Sequence, residues 1–292
     1  MSLIAVPNVS EGRDSRRIGD LAQAIGGEGA RVLDVHSDPD HNRTVFTVAG
    51  SDDQLTTAMA ELAAAARYID LRRHVGVHPR LGGLDVCPLV PHATSMDHAV
   101  TVALRTAEEI ARRAGIPVYL YGAAATARGE ARELPSLRAG GLEGLIQRAS
   151  HGQVPDFGPQ VITVRSGVVC VGARPVLVAF NVWLRCSLAT AREIAVSVRS
   201  AGGGLPGVRA LGLALGEPGV AQVSMNLTDP AAAGIDVAFE AVARRARALG
   251  GGVLATEIVG LVPERFLPDP QKEAARLLKT PGRSLESALT AR

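Results

Sequence analysis

The chain has 292 residues, 47% of them hydrophobic, with 31 Lys and Arg against 29 Asp and Glu. That length buries a substantial core, and the near balance of charge excludes the basic footprint that nucleic acid or an anionic membrane surface needs. The 32 glycines and 17 prolines fall as punctuation between periodic segments, without a repeat, which excludes collagen-like and low-complexity material.

Residues 2–7 are a short apolar run suited to a buried strand, and Asp14 or Ser15 then caps an amphipathic helix reaching about residue 26. Runs 31–35 and 43–49 are rich in β-branched residues and are joined by Ser37-Asp38-Pro39-Asp40-His41-Asn42, a composition that turns the chain into a hairpin. Ser51-Asp52-Asp53-Gln54 has the form of a capping box and opens a helix to about residue 69, with Leu55, Met59, Leu62 and Ala66 along one face. A strand over 84–90 completes the order βαββαβ. A helix over 95–114 and a strand over 118–121 follow.

The second half repeats this order. It has a strand over 176–184, a helix over 189–200, strands over 208–215 and 220–227 around Gly216-Glu217-Pro218-Gly219, a helix over 231–249 and a strand over 253–259. The expected fold class is therefore α/β (α+β). It comprises two ferredoxin-like βαββαβ subdomains, residues 1–175 and 176–292, each a mainly antiparallel sheet with helices on one face. Their junction is expected within 152–175. The first fifteen residues carry Asn8, Glu11, Arg13 and Asp14 and lack the apolar core of a signal peptide, and no later run is long and apolar enough to span a bilayer, so a cytoplasmic protein is expected. Cys87, Cys170 and Cys186 are widely spaced in apolar surroundings and read as core thiols.

Four histidines, His36, His41, His74 and His78, lie in or beside polar loops of the N-terminal half, whereas His92, His98 and His151 read as ordinary solvated or satisfied residues. His78 stands apart within Gly76-Val77-His78-Pro79-Arg80-Leu81-Gly82-Gly83, with Asp85 starting the next strand. Proline biases the preceding histidine toward extended backbone, and the glycines permit close approach of a ligand. His74 and His78 are four apart, but Pro79 and the glycines argue against a helix there, and neither H-E-x-x-H nor a Cys partner accompanies them, so no metal is expected. The charged loops 7–14 and 38–43 also sit at strand ends. Arg13, Arg43 and Arg80 suit the carboxylates of a small acidic substrate, because guanidinium binds carboxylate through two parallel hydrogen bonds.

Val6-Pro7-Asn8-Val9-Ser10-Glu11-Gly12, Asn42-Arg43-Thr44-Val45, His78-Pro79-Arg80, Leu84-Asp85-Val86-Cys87-Pro88 and Val118-Tyr119-Leu120-Tyr121-Gly122 together resemble the glutamate formimidoyltransferase family. The likeness continues through Leu137-Arg138-Ala139-Gly140, Pro155-Asp156-Phe157-Gly158-Pro159, Gly172-Ala173-Arg174, Ala179-Phe180-Asn181, Ala221-Gln222-Val223-Ser224 and Gly260-Leu261-Val262-Pro263, nearly end to end. It implies two subdomains with a folate crevice between them. It also implies transfer of a formimidoyl group from N-formimidoyl-L-glutamate to N5 of tetrahydrofolate, a co-substrate, in histidine degradation and one-carbon metabolism.

The family's catalytic histidine falls on His78. Its folate-binding segment falls on Gly158, Pro159, Gln160, Val161, Ile162, Thr163, Val164, Arg165, Ser166 and Gly167, where Gly158, Pro159 and Gly167 keep the family pattern and the interior diverges. Asn8, Arg13, Asn42, Arg43 and Arg80 are the candidates for donor binding. The segment 36–41 also departs from animal members. A homodimer is implied, acting on small molecules without metal, nucleic acid or membrane, and in a stand-alone form without the cyclodeaminase domain. The rival readings are a related folate enzyme using a formyl donor or 5-formyltetrahydrofolate, and a folate-binding protein without turnover.

Overall fold

The computed structural model describes residues 3–27, 29–129 and 132–291. Ser2, which the first expected strand includes, lies outside them. The chain forms two compact units, Met1–Pro175 and Val176–Arg292.

The first unit begins with β1 (Leu3–Ala5) and β2 (Asn8–Val9), one strand path interrupted at Val6-Pro7, where proline has no N–H to give a ladder. Helix α1 (Ser15–Gly26) starts on Asp14, whose carboxylate accepts from the amides of Arg16 and Arg17. β3 (Arg31–Asp38) and β4 (Arg43–Ala49) form the expected hairpin, paired from Arg31 opposite Ala49 to Asp38 opposite Arg43 with a register shift between Val32 and Asp34. Ser51 and Gln54 form the capping box of α2 (Asp52–Ala66), which buries Leu55, Met59, Leu62 and Ala66. β5 (Leu84–Pro91), α3 (Met96–Ala114) and β6 (Val118–Gly122) follow, then short helices α4 (Ala123–Thr126) and α5 (Leu134–Arg138), α6 (Gly141–Ser150), and β7 (Val169–Ala173).

These strands form one sheet. β4 lies between β3 and the β1/β2 path, β5 pairs antiparallel with that same path, and β7 runs parallel between β5 and β6. The βαββαβ core is as expected, but it is extended by two parallel strands. Residues 169–173, assigned above to the region of the junction, are an interior strand, buried throughout. The reason is legible in the residues: Val168-Val169-Cys170-Val171 is the continuous apolar run of a parallel strand covered on both sides. Helices also lie on both faces of this extension. Cys87, Leu89, Leu120 and Val171 join the core under α2 and α3, whereas Val86, Tyr119, Tyr121 and Cys170 join Leu137, Leu142 and Leu145 of α5 and α6.

The second unit holds β8 (Val178–Arg185), α7 (Leu188–Val198), β9 (Val208–Ala214), β10 (Val220–Leu227), α8 (Ile235–Ala248) and β11 (Gly252–Val259). Its sheet order is β11-β8-β10-β9, antiparallel throughout. This is the ferredoxin-like arrangement, with Val182, Leu184, Val223 and Met225 packed on Ile194, Phe239 and Val242 of the two helices. No helix among the described residues is long and apolar enough to cross a membrane.

If β7 is an interior strand, the amides of Cys170, Val171 and Gly172 will exchange with solvent as slowly as those of Cys87 and Leu89 in β5. Native-state hydrogen exchange checks this, and rapid exchange over 169–173 would return the segment to the status of a linker.

Candidate active site

The turn between β3 and β4 is built around Asn42, whose φ of 48° makes it the one left-handed non-glycine among the described residues. Asparagine is the residue type that best tolerates that region after glycine. Both ends of its amide are used: Oδ1 accepts from the Gly12 amide at 3.0 Å, and Nδ2 donates to the Val75 carbonyl at 3.0 Å. The turn is closed by the Asp38 carboxylate, which accepts from the amides of Asp40 and His41 at 2.8 and 2.9 Å. Next to it, buried Glu11 accepts from the amides of Arg13 and Asp14, and Thr44 Oγ1 donates to the Glu11 carbonyl. Three loops therefore meet at one corner of the sheet.

The loop after α2 is held against this corner. The Val77 amide donates to the Asp40 carbonyl at 3.1 Å, and the Arg80 guanidinium donates to the carbonyls of His41 and Asn42 at 3.1 and 3.5 Å. At the loop's far end, the Leu81 amide donates to Asp85 Oδ1 at 2.6 Å, while Asp85 Oδ2 pairs with Arg138 at the end of α5. Ser10 Oγ donates to the Gly82 carbonyl at 2.7 Å. A Cβ at Gly82 would overlap the Val168 carbonyl, so only glycine fits where the loop meets residues 167–168.

His78 is half-buried at the centre of this frame. Arg43 Nη1 lies 2.9 Å from its Nε2, and the ring of His41, fully buried, stacks on it at 5.7 Å between centroids. Burial, then the charges of Arg43, Arg138 and His41, push its pKa well below the ordinary value of about 6.5, against a smaller opposing effect from a hydrogen bond to the Pro79 backbone. His78 is consequently a neutral imidazole at physiological pH. It lines a small cavity with Ser10, His41, Asn42, Arg43, Arg80 and Asp85.

The segment 158–167 reaches the same loop. Gly82 and Gly167 form an antiparallel bridge, the Gly83 amide donates to the Ser166 carbonyl at 3.3 Å, and the Leu71 amide donates to the Arg165 carbonyl at 2.9 Å. Thr163 and Ser166 close a turn whose tip leaves Val164 and Arg165 exposed, and Val161 is 75% exposed beside it.

Residues 2–174 match the family model for the formiminotransferase domain, N-terminal subdomain, and residues 179–273 match that for the formiminotransferase domain. The chain belongs to the formiminotransferase family. Among curated relatives, glutamate formimidoyltransferase of Streptococcus pyogenes serotype M1 is 38% identical over 269 residues, which cover 90% of this chain and 90% of that protein. The Thermoplasma acidophilum protein of the same name is 39% identical over 280 residues, 93% of this chain and 92% of that one. Formimidoyltransferase-cyclodeaminase of Sus scrofa is 40% identical over 274 residues, 90% of this chain, and the chain spans about half the length of that relative.

The structure brings together His78, Asn42, Arg43 and Arg80 of the residues singled out in the sequence. Asn8 and Arg13 do not line the cavity: Asn8 donates to the Val6 carbonyl at 3.1 Å, and Arg13 Nε donates to the Pro39 carbonyl at 2.8 Å. Four contributors were not among the site residues expected from the sequence: Ser10, His41, Asp85 in its paired role, and Arg138. His41 carried the signal of a polar-loop histidine, but its stack on His78 joins positions far apart in sequence. Among the described residues no group of three or more His, Cys, Asp or Glu is placed to hold a metal ion.

His74 and His78 both have lowered pKa values in the folded protein, His74 chiefly through burial and the charge of Arg80. Below about pH 6.5 the unfolded chain takes up protons that the folded one resists, so stability falls as the pH drops from there through the folded values. Urea midpoints between pH 7.5 and 5 will fall more steeply for the wild type than for His78→Gln; identical slopes would contradict the burial of this imidazole. Gly82→Ala is expected to cost about 1–3 kcal/mol in the same assay at pH 7.5.

Proposed function

We propose that this formiminotransferase moves the formimidoyl group of N-formimidoyl-L-glutamate to N5 of tetrahydrofolate, releasing 5-formimidoyltetrahydrofolate and L-glutamate. N5 attacks the amidine carbon and must lose its proton as the tetrahedral adduct forms. The glutamate nitrogen must gain a proton as its bond to carbon breaks and the C=N bond reforms. His78 accepts the first proton and returns it to the leaving nitrogen, so one group serves both ends and no net proton is exchanged with solvent.

The observation that carries this reading is an imidazole set among guanidinium groups in one cavity, where burial and the neighbouring charges lower its pKa. A base must be unprotonated to act, and the lowered pKa of His78 keeps it so at neutral pH. Arg43 is the cation best disposed to receive a donor carboxylate, since the Arg80 guanidinium is committed to the carbonyls that hold the loop. Residues 158–167, bonded to the same loop through Gly82 and Gly83, are assigned to tetrahydrofolate, with the exposed apolar surface of Val161 and Val164 as a platform for its ring system. Asn8 and Arg13 are retained as outer candidates for the donor. The same reading takes the enzyme to be a cytoplasmic homodimer, as the family resemblance implies.

His78→Ala is expected to keep its fold and to lose about 10²- to 10⁴-fold in kcat for the formation of 5-formimidoyltetrahydrofolate and glutamate. Steady-state kinetics with both substrates measure this. Full activity in the variant would remove His78 from the proposed role, and a folded wild type without turnover would refute the donor assignment.

A further inference from the structure

Arg43 and His78 bear a relation that the proton shuttle alone does not require. A guanidinium has only N–H donors and stays charged, so the 2.9 Å approach of Arg43 Nη1 to His78 Nε2 makes Nε2 the acceptor. That contact assigns the tautomer of the neutral ring, with the proton on Nδ1 and the lone pair on Nε2 covered by Arg43.

A histidine so held cannot take a proton. Its single basic lone pair is already occupied by a cationic donor, and an imidazolium Nε2–H would point at an Arg N–H. For His78 to act, Arg43 must turn away. The backbone of Arg43 is fixed, because it begins β4 in register with Asp38 and follows the left-handed Asn42. Movement therefore falls to the Arg43 side chain, which is half-buried at the cavity wall. A carboxylate supplies the incentive, since its two oxygens match the guanidinium fork and the charge-assisted pair is stronger than a bond to neutral imidazole.

We propose that Arg43 is a latch on the base: it covers His78 Nε2 in the free enzyme and leaves it for a carboxylate of the bound donor, so that His78 becomes basic only when the donor is in place. This rests on the donor assignment made above. The groups that face His78 besides Arg43 are Arg138 of α5 and His41 of the turn, with Asp85 of β5 and Arg80 on the same cavity. Asp85 is held by Arg138 and the Leu81 amide, and Arg80 by backbone carbonyls, so neither is poised to replace Arg43 on Nε2.

The test is ring-nitrogen NMR of His78 in the full chain, titrated with and without saturating L-glutamate as an unreactive carboxylate probe. In the free protein the spectrum should show the Nδ1–H tautomer and a pKa well below the ordinary value; glutamate should raise that pKa by about one unit or more, as expected when an adjacent positive charge is neutralised. In Arg43→Gln the pKa should already be raised and glutamate should leave it unchanged, with His98 and His151 reporting an intact fold. An Nε2–H tautomer in the free wild type, or a pKa that glutamate does not move, overturns the latch. Parallel turnover assays separate the two claims: turnover of the donor without a glutamate-induced shift removes the latch and leaves the proposed function, while a shift without turnover keeps the latch and removes that function.

Discussion

Asn42 carries the constraint on which the site depends. Its left-handed backbone turns the chain from β3 into β4, and its amide holds the Gly12 loop on one side and the Val75 loop on the other. Arg80 then clasps the carbonyls of residues 41 and 42 from the second loop. Each bond is between a side chain and a backbone group, and two residues of the cavity wall, Asn42 and Arg80, thereby fix the loop positions. The result is a rigid corner at which Arg43, His41 and His78 are aligned by main-chain geometry.

Charge at that corner is strongly one-sided. Arg43, Arg80 and Arg138 gather around one imidazole, and the only carboxylate lining the cavity among the described residues, Asp85, is taken up by Arg138 and the Leu81 amide. Such an arrangement disfavours imidazolium and favours anions. It suits a step in which a neutral base must be ready before an anionic donor arrives, and the arriving negative charge lets the base accept a proton. Charge on the donor and basicity of His78 thus become coupled through a single guanidinium.

Much of the scaffold was legible in the residues because its signals are local. Asp14, the Ser51–Gln54 capping box and the β-branched runs of the β3–β4 hairpin each dictate structure over a few positions, and the structure forms them there. β7 was obscured because its apolar run sits among Gly158, Pro159, Gly167, Gly172 and Pro175, punctuation that reads as a junction. Only its parallel pairing with β5 and β6 gives it a place in the sheet. His78 could be singled out from the glycines and proline that shape its loop. The stack of His41 on it and the Asp85–Arg138 pair could not, since these contacts join positions 37 and 53 residues apart and depend on the finished sheet. Arg80, expected as a substrate ligand, lines the cavity and also holds the loop through its hydrogen bonds to the carbonyls of residues 41 and 42.

In the proposed reaction a one-carbon group passes from glutamate to folate at this corner. The most direct measurement uses N-formimidoyl-L-glutamate labelled with ¹³C at the amidine carbon, incubated with the full chain and tetrahydrofolate and followed by ¹³C NMR. The labelled carbon is expected to leave the glutamate nitrogen and appear on N5 of the folate in step with free glutamate. Label that stays on glutamate, or that is released to solvent without ever reaching the folate, would contradict it.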